Sequence, residues 1–231
     1  MSETYDVAII GAGSAGAAAA TACARHGMAV ALLEAGPLAR AGARWINAIP
    51  GWTFDEAGVA RPTAEETLGP PPPVIHLFAG RRQEHTRVVT DEFIEVDMGL
   101  MVARLQREAR AAGVTLMPAC RVAAARGETL VLKGGAEVKA RWLVDASGLG
   151  GARLLGQAPL EPEDLCEARH QVHRVDDMER ARAYFAHHGV APGESLVFTS
   201  VAGGFSSLQV RLEGEVITLL SGTIPGQGWD R

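Results

Sequence analysis

Six residues near the N-terminus, Gly11-Ala12-Gly13-Ser14-Ala15-Gly16, have the types and spacing to bring a peptide backbone against phosphate groups. The first glycine permits a tight turn, the second a close backbone approach to a pyrophosphate, and the third close packing of a helix on a strand. Ala20, Gly27, Val30 and Glu34 follow at the intervals of a βαβ nucleotide-binding unit. Glu34 can accept hydrogen bonds from ribose hydroxyls, and its charge would repel a 2′-phosphate. The chemistry predicted is the holding of a dinucleotide. No residue outside this region carries an assignable catalytic role.

The flanking elements must then be a strand, a helix and a second strand. Tyr5–Ile10 is strand-like, Ala17–Ala24 is an alanine-rich helix, and Met28–Leu33 is a strand ending on the acid. This context separates the motif from a chance glycine run, and a helix N-terminus at Ser14 presents N–H groups and partial positive charge to an anion. Further on, Gly36-Pro37 ends the strand, and residues 38–73 are loose and end in Pro70-Pro71-Pro72-Pro73, an extended connector. Strands are predicted over 74–78, 87–89 and 93–96, and a helix over 98–112 from Leu100, Met101, Leu105 and Ala109. A strand over 114–117 and a β-meander over 121–125, 129–133 and 137–141 follow, the meander broken at Gly127 and Gly134-Gly135. Trp142-Leu143-Val144 reads as a separate buried strand that runs into Asp145-Ala146-Ser147-Gly148. In an open parallel sheet, that strand end shares a rim with the glycine turn. Residues 163–189 are polar and helix-leaning, and 195–201, 205–212 and 215–220 are strand-like.

Composition narrows the class. The chain has 231 residues, 47% of them apolar and 21% charged, with a net charge of −5. That is globular material without the basic footprint of a nucleic-acid binder. Cys23, Cys120 and Cys166 show no metal or disulfide pattern and read as buried thiols in a reducing compartment. His170 and His173 could share one helical face, but a metal site needs a third ligand that the sequence does not offer. The uncharged stretch from Val7 to Ala24 is accounted for by the nucleotide motif rather than a membrane span, so no transmembrane segment is expected and the setting is cytoplasmic. Gly203-Gly204 suggests a bulge or close backbone approach, and Arg81-Arg82 a solvated strand end or an anion contact.

Fingerprint, helix, meander, strand and D-A-S-G together resemble the two-domain FAD-dependent oxidoreductases that include aromatic hydroxylases, geranylgeranyl reductases and flavin-dependent halogenases. The resemblance is motif-supported over residues 4–156 and general in pattern beyond. It implies an α/β fold: a Rossmann-like FAD-binding domain, with parallel sheet and β-meander, over 1–73 and 97–156. An incomplete, mainly β substrate domain that covers the flavin takes 74–96 and 157–231. By this likeness Gly11, Gly13, Ser14, Ala15 and Gly16 hold the FAD pyrophosphate. Glu34 and Ala35 meet the adenosine, the backbone at Val122 lies against the adenine, and Asp145 and Gly148 approach the nucleotide. The implied cofactor is FAD, with NADH or NADPH as candidate external reductant, and the implied partner is a small organic substrate.

Departures limit the subclass. Asp97-Met98 stands where family members often carry an arginine, and the cysteine-containing loop of the reductase branch is missing. Lys133 and Lys139 both fall in the meander, leaving the halogenase lysine without a counterpart. Trp45-Ile46-Asn47-Ala48-Ile49-Pro50 approaches the halogenase W-x-W-x-I-P signature but lacks its second tryptophan. The family's second Gly-Asp motif is also missing, so the chain is expected to be the N-terminal part of a longer flavoprotein. Two alternatives stay open. One is an NAD-binding dehydrogenase. The other is a non-catalytic dinucleotide-binding fragment completed by a C-terminal partner segment or chain.

Overall fold

The computed structural model describes residues 4–68, 74–80, 84–89, 92–154, 156, 158, 160–200 and 206–224. The proline run 70–73, Arg81-Arg82, Gly203-Gly204 and the end from 225 on lie outside them. In chain order the elements are β1 (Thr4–Ile10), α1 (Ser14–Arg25), β2 (Val30–Leu33), β3 (Ile46–Pro50), α2 (Trp52–Glu56), β4 (Val74–Ala79), β5 (His85–Val89) and β6 (Phe93–Asp97). Next come α3 (Met98–Ala111), β7 (Thr115–Met117), β8 (Val122–Arg126), β9 (Thr129–Leu132), β10 (Glu137–Asp145) and β11 (Glu167–Arg174). The last are α4 (Met178–His187), β12 (Ser195–Thr199), β13 (Ser206–Glu213) and β14 (Val216–Thr223). The chain divides into two units, Met1–Gly69 with Glu92–Gln157, and Pro70–Asp91 with Ala158–Arg231.

The first unit is built on a six-stranded sheet in the order β7-β2-β1-β10-β9-β8. Strands β7, β2, β1 and β10 run parallel, while β9 and β8 turn back antiparallel as the meander. Parallel strands are covered on both faces, so they read as unbroken apolar runs. Val7, Ile9, Val30 and Leu32 face one core with Ala17, Ala20, Met101 and Leu105. Ala8, Ile10, Ala31 and Leu33 face a second core with Leu130, Leu132, Val138 and Ala140. The alanines of α1 let it lie close to the sheet, where larger side chains would hold it off. Helix α3 is capped by Asp97, whose Oδ1 accepts the Leu100 N–H at 3.0 Å, and its stripe of Met98, Met101, Val102, Leu105 and Ala109 is buried.

Three expectations change here. The third meander strand and Trp142–Val144 form one nine-residue strand, β10. Trp142 is 60% exposed and Val144 is exposed too, not buried. Both align in register with buried Val7 and Ile9, so an apolar run predicts burial only where something covers that stretch of sheet. The loose region after Glu34 contains β3, which pairs with β6 in a two-stranded sheet. Of residues 74–96, expected together in the second domain, 92–96 lie in the first unit.

The second unit is a six-stranded sheet in the order β11-β14-β13-β12-β4-β5, antiparallel except for the β12–β4 pair. Helix α4 supplies Phe185 to a core with Phe78, Val190, Leu196 and Val210. The helix-leaning reading of 163–189 holds for α4 alone. Residues 167–174 are strand because eight consecutive residues find partners on β14. His170 and His173, three apart on a strand, point to opposite faces. Among the described residues no group of His, Cys, Asp or Glu is placed to hold a metal, and no helix is long and apolar enough to cross a membrane. All three cysteines are unpaired, and Cys166 is exposed rather than buried.

Candidate functional site

The residues named for nucleotide binding all fall in the first unit, most of them at the carboxyl ends of neighbouring strands. Gly11, Gly13, Ser14, Ala15 and Gly16 form the turn from β1 into α1, while Glu34 and Ala35 follow β2. Asp145 ends β10, and Gly148 lies three residues beyond.

Each glycine of the turn has an identifiable neighbour. Gly11 has φ +99°, and a Cβ there would run into the Ala146 carbonyl and lie 2.8 Å from the Ser147 Cα. A Cβ on Gly16 would overlap the carbonyl oxygen of Gly11, so the helix can enter this close to the strand only without a side chain. A Cβ on Gly13 would sit 3.2 Å from the Gly42 Cα. The D-A-S-G segment and the segment around Gly42 thus both press their backbones against the turn. Helix α1 starts at Gly13 without a side-chain cap and with no acidic residue in its first turn. No residue of the helix itself therefore offsets its N-terminal positive potential.

Glu34 braces the turn from the β2 side. Its Oε2 accepts the Ala12 N–H at 2.9 Å and its Oε1 the Gly36 N–H at 3.2 Å. A carboxylate oxygen has two lone pairs, so both oxygens keep capacity for a ribose diol. The loop into β8 is tied to the same place. The Ala119 N–H donates to Gly36 O (3.0 Å), the Cys120 N–H to Glu34 O (2.8 Å) and the Glu34 N–H to Met117 O (2.9 Å). This brings the start of β8, and with it Val122, towards Glu34. The Val122 side chain packs against the second core, and β8 is an edge strand of the sheet.

Asp145 is occupied within its own loop. It accepts hydrogen bonds from the Ser147 hydroxyl, the Ser147 N–H (3.1 Å) and the Leu154 N–H (3.0 Å). Burial opposes its ionisation, but these donors prevail and hold the carboxyl below the usual carboxylate range. Ser147 Oγ in turn accepts the Ala152 N–H at 2.8 Å. What reaches the glycine turn is the backbone of Ala146 and Ser147. Gly148 is exposed, at φ +77°.

Sequence reasoning missed two participants. Gly42 owes its role to packing against Gly13, 29 positions away, and no local pattern signals that. Gln106, polar and 8% exposed beside the apolar stripe of α3, likewise finds a partner that no local pattern points to. In the second unit a buried chain of polar groups was also unforeseen. His76, 1% exposed, lies between His85 (Nδ1···Nε2 2.9 Å) and Glu194 (Nε2···Oε2 2.7 Å). Burial raises the Glu194 carboxyl, but the Ala191 N–H, His76 and Arg87 outweigh it and set the group below its ordinary range.

A family profile described as "Lycopene cyclase protein" matches residues 6–172. No curated protein matches the chain. Solved structures do. A geranylgeranyl bacteriochlorophyll reductase-like protein from Thermoplasma acidophilum has a TM-score of 0.71 at 17% identity, covering 97% of this chain and 57% of that one. PqsL of P. aeruginosa, in complex with 2-aminobenzoylacetate, has a TM-score of 0.69 at 13% identity, covering 96% and 61%. The halogenase PltM, in complex with phloroglucinol and FAD, has a TM-score of 0.68 at 17% identity, covering 95% and 52%. The fold is shared, and this chain spans little more than half of each.

Proposed function

The chain belongs to the lycopene cyclase protein family, and we propose that it is the dinucleotide-binding part of an FAD-dependent oxidoreductase acting on a small organic substrate. The observation that carries this reading is the β1–α1 turn, whose three glycines each have a close backbone neighbour, with no room for a Cβ at Gly11 or Gly16. It opens an uncapped helix and sits beside a carboxylate with acceptor capacity to spare. Gly11, Gly13, Ser14, Ala15 and Gly16 would hold the pyrophosphate. Glu34 and Ala35 would take the adenosine, and the Val122 backbone the adenine. Asp145 and Gly148 would shape the neighbouring wall, Asp145 by fixing the Ala146–Ser147 backbone. The bound flavin supplies two-electron redox chemistry, and the chain supplies binding and orientation.

The substrate domain would be the second unit, with a monooxygenase- or reductase-type reaction drawing electrons from NADH or NADPH. The unpaired cysteines fit a cytoplasmic setting. A second reading, a dinucleotide-binding portion completed by a partner segment or chain, is favoured by one observation. The chain spans only 52–61% of the length of the similar structures.

The test is to incubate the purified chain with FAD, remove free ligand by gel filtration and record the absorption spectrum. Retained flavin bands support the first reading. Flavin retained only after addition of a longer chain or partner supports the second. Binding of NAD without FAD would overturn both in favour of a dehydrogenase.

A further inference from the structure

Ala12, in the middle of the glycine turn, is fully buried and both of its backbone groups are held. Its N–H donates to Glu34 Oε2 at 2.9 Å. Its carbonyl accepts from Gln106 Nε2 at 2.8 Å, and the same amide nitrogen donates to the Leu38 carbonyl at 3.1 Å. Gln106 comes from α3, 94 residues away from Ala12. Its amide joins the turn to the segment leading to Gly42, whose backbone in turn packs on Gly13.

The planarity of the peptide unit gives this bond a directional consequence. The Ala12 carbonyl and the Gly13 N–H belong to one planar trans unit, and in such a unit C=O and N–H point in opposite directions. Drawing the carbonyl towards α3 therefore turns the Gly13 N–H away from α3, outward from the buried side of the turn. The bond fixes the orientation of a donor at the head of α1, where an anion is favoured.

We propose that Gln106 is a positioning residue of the dinucleotide site: its amide holds the Ala12–Gly13 peptide so that the Gly13 N–H is presented to a pyrophosphate before ligand arrives. This rests on the reading of the turn as a dinucleotide site. Gln106 acts through the backbone and makes no contact with the ligand itself. Its contribution belongs to the phosphate part of binding. Adenosine, which engages Glu34 and the start of β8, does not need it.

The test compares the wild-type chain with Gln106→Met, similar in length but without donors, for affinity towards adenosine, ADP and FAD by calorimetry or fluorescence. Folding is followed by circular dichroism and the urea midpoint. The expected result is an approximately tenfold weaker ADP and FAD affinity, the size of one lost hydrogen-bond arrangement, with adenosine affinity unchanged. Unchanged ADP and FAD affinity overturns the proposal, and so does a loss shared equally by adenosine, which marks a structural role only. If the wild-type chain binds neither ADP nor FAD, alone or together with the longer chain or partner, the dinucleotide reading falls and the positioning role with it. A second measurement does not depend on the variant folding: hydrogen exchange of the Gln106 side-chain amide by NMR in the unliganded wild-type protein. Protected amide protons support the proposal, and freely exchanging ones overturn it.

Discussion

At the scale of single residues, binding and folding can be separated at the head of α1. Ala15 is exposed in the first turn. A carboxylate at that position complements the helix dipole, so Ala15→Glu is expected to leave the thermal midpoint unchanged or slightly raised. The same charge would repel a pyrophosphate, and FAD affinity is expected to fall at least about tenfold, corresponding to roughly 1.4 kcal/mol. Equal FAD affinity in the variant would remove Ala15 from the pyrophosphate site. Gly16→Ala is the opposite case. Its Cβ overlaps the Gly11 carbonyl, so the helix or the turn must shift, with an expected loss of about 2–4 kcal/mol in urea unfolding. A loss below about 1 kcal/mol would show that the helix entry is looser than this packing implies. The glycine turn and Glu34 were legible in the sequence because they lie at fixed intervals within one βαβ unit. Gly42 and Gln106 were not, because their partners Gly13 and Ala12 lie far away along the chain. The sequence placed Asp145 beside the nucleotide, yet its acceptor positions serve Ser147 and Leu154.

At the scale of elements, the most consequential polar contact outside the turn joins α3 to the segment before the proline run. Arg104 Nε donates to both Glu66 oxygens (2.7 and 3.0 Å), its Nη1 to Glu108 at 2.7 Å and its Nη2 to the Ala60 carbonyl at 3.2 Å. Glu66 also accepts the Thr63 N–H at 3.0 Å. Both ion-pair partners are buried, so removing Glu66 leaves the buried Arg104 charge with the more exposed Glu108 as its carboxylate partner. Glu66→Ala is expected to cost about 3 kcal/mol in urea unfolding. The apolar pair Glu66→Leu with Arg104→Met is expected to cost less than Glu66→Ala alone, since a buried ion pair is repaid only in part by its own attraction. A double variant less stable than the single one would show that the pair contributes more than an apolar contact of similar volume. Elements with strong local signals were predicted well: the meander by its glycine-broken strands, and α3 by its stripe. Strand β3 carries no such signal, since Ile46, Asn47 and Ala48 are all exposed, and it forms by pairing with β6. Strand β11 is mostly polar, with Ala168 and Val172 its apolar residues, and its pairing with β14 makes it a strand.

For the whole molecule, the two units carry different pH sensitivities. In the first, Asp145 at the end of β10 is held below the usual carboxylate range, so its contribution is lost only in strong acid. The second unit contains His188 at the end of α4, packed edge-on against Phe78 (5.4 Å) and Phe198 (5.7 Å). Burial, and then the charges of His187 and His85, push its imidazole below the ordinary histidine range. A lowered folded-state value means that the unfolded chain binds the proton first. The stabilisation is complete above the unfolded value of about 6.5 and is lost as pH falls towards the folded one. Glu194, also lowered, has the same sign, but its loss begins only below the unfolded carboxylate value of about 4.3. Between pH 7.5 and 5.5 the second unit is therefore expected to weaken through His188 alone of these three groups. Hydrogen–deuterium exchange of α4 peptides, corrected for intrinsic exchange at each pH, should show protection falling over that interval. In His188→Gln the fall should be smaller, while Glu194→Gln should alter the profile only at lower pH. A His188→Gln variant with the full wild-type pH dependence would assign the sensitivity elsewhere in the second unit.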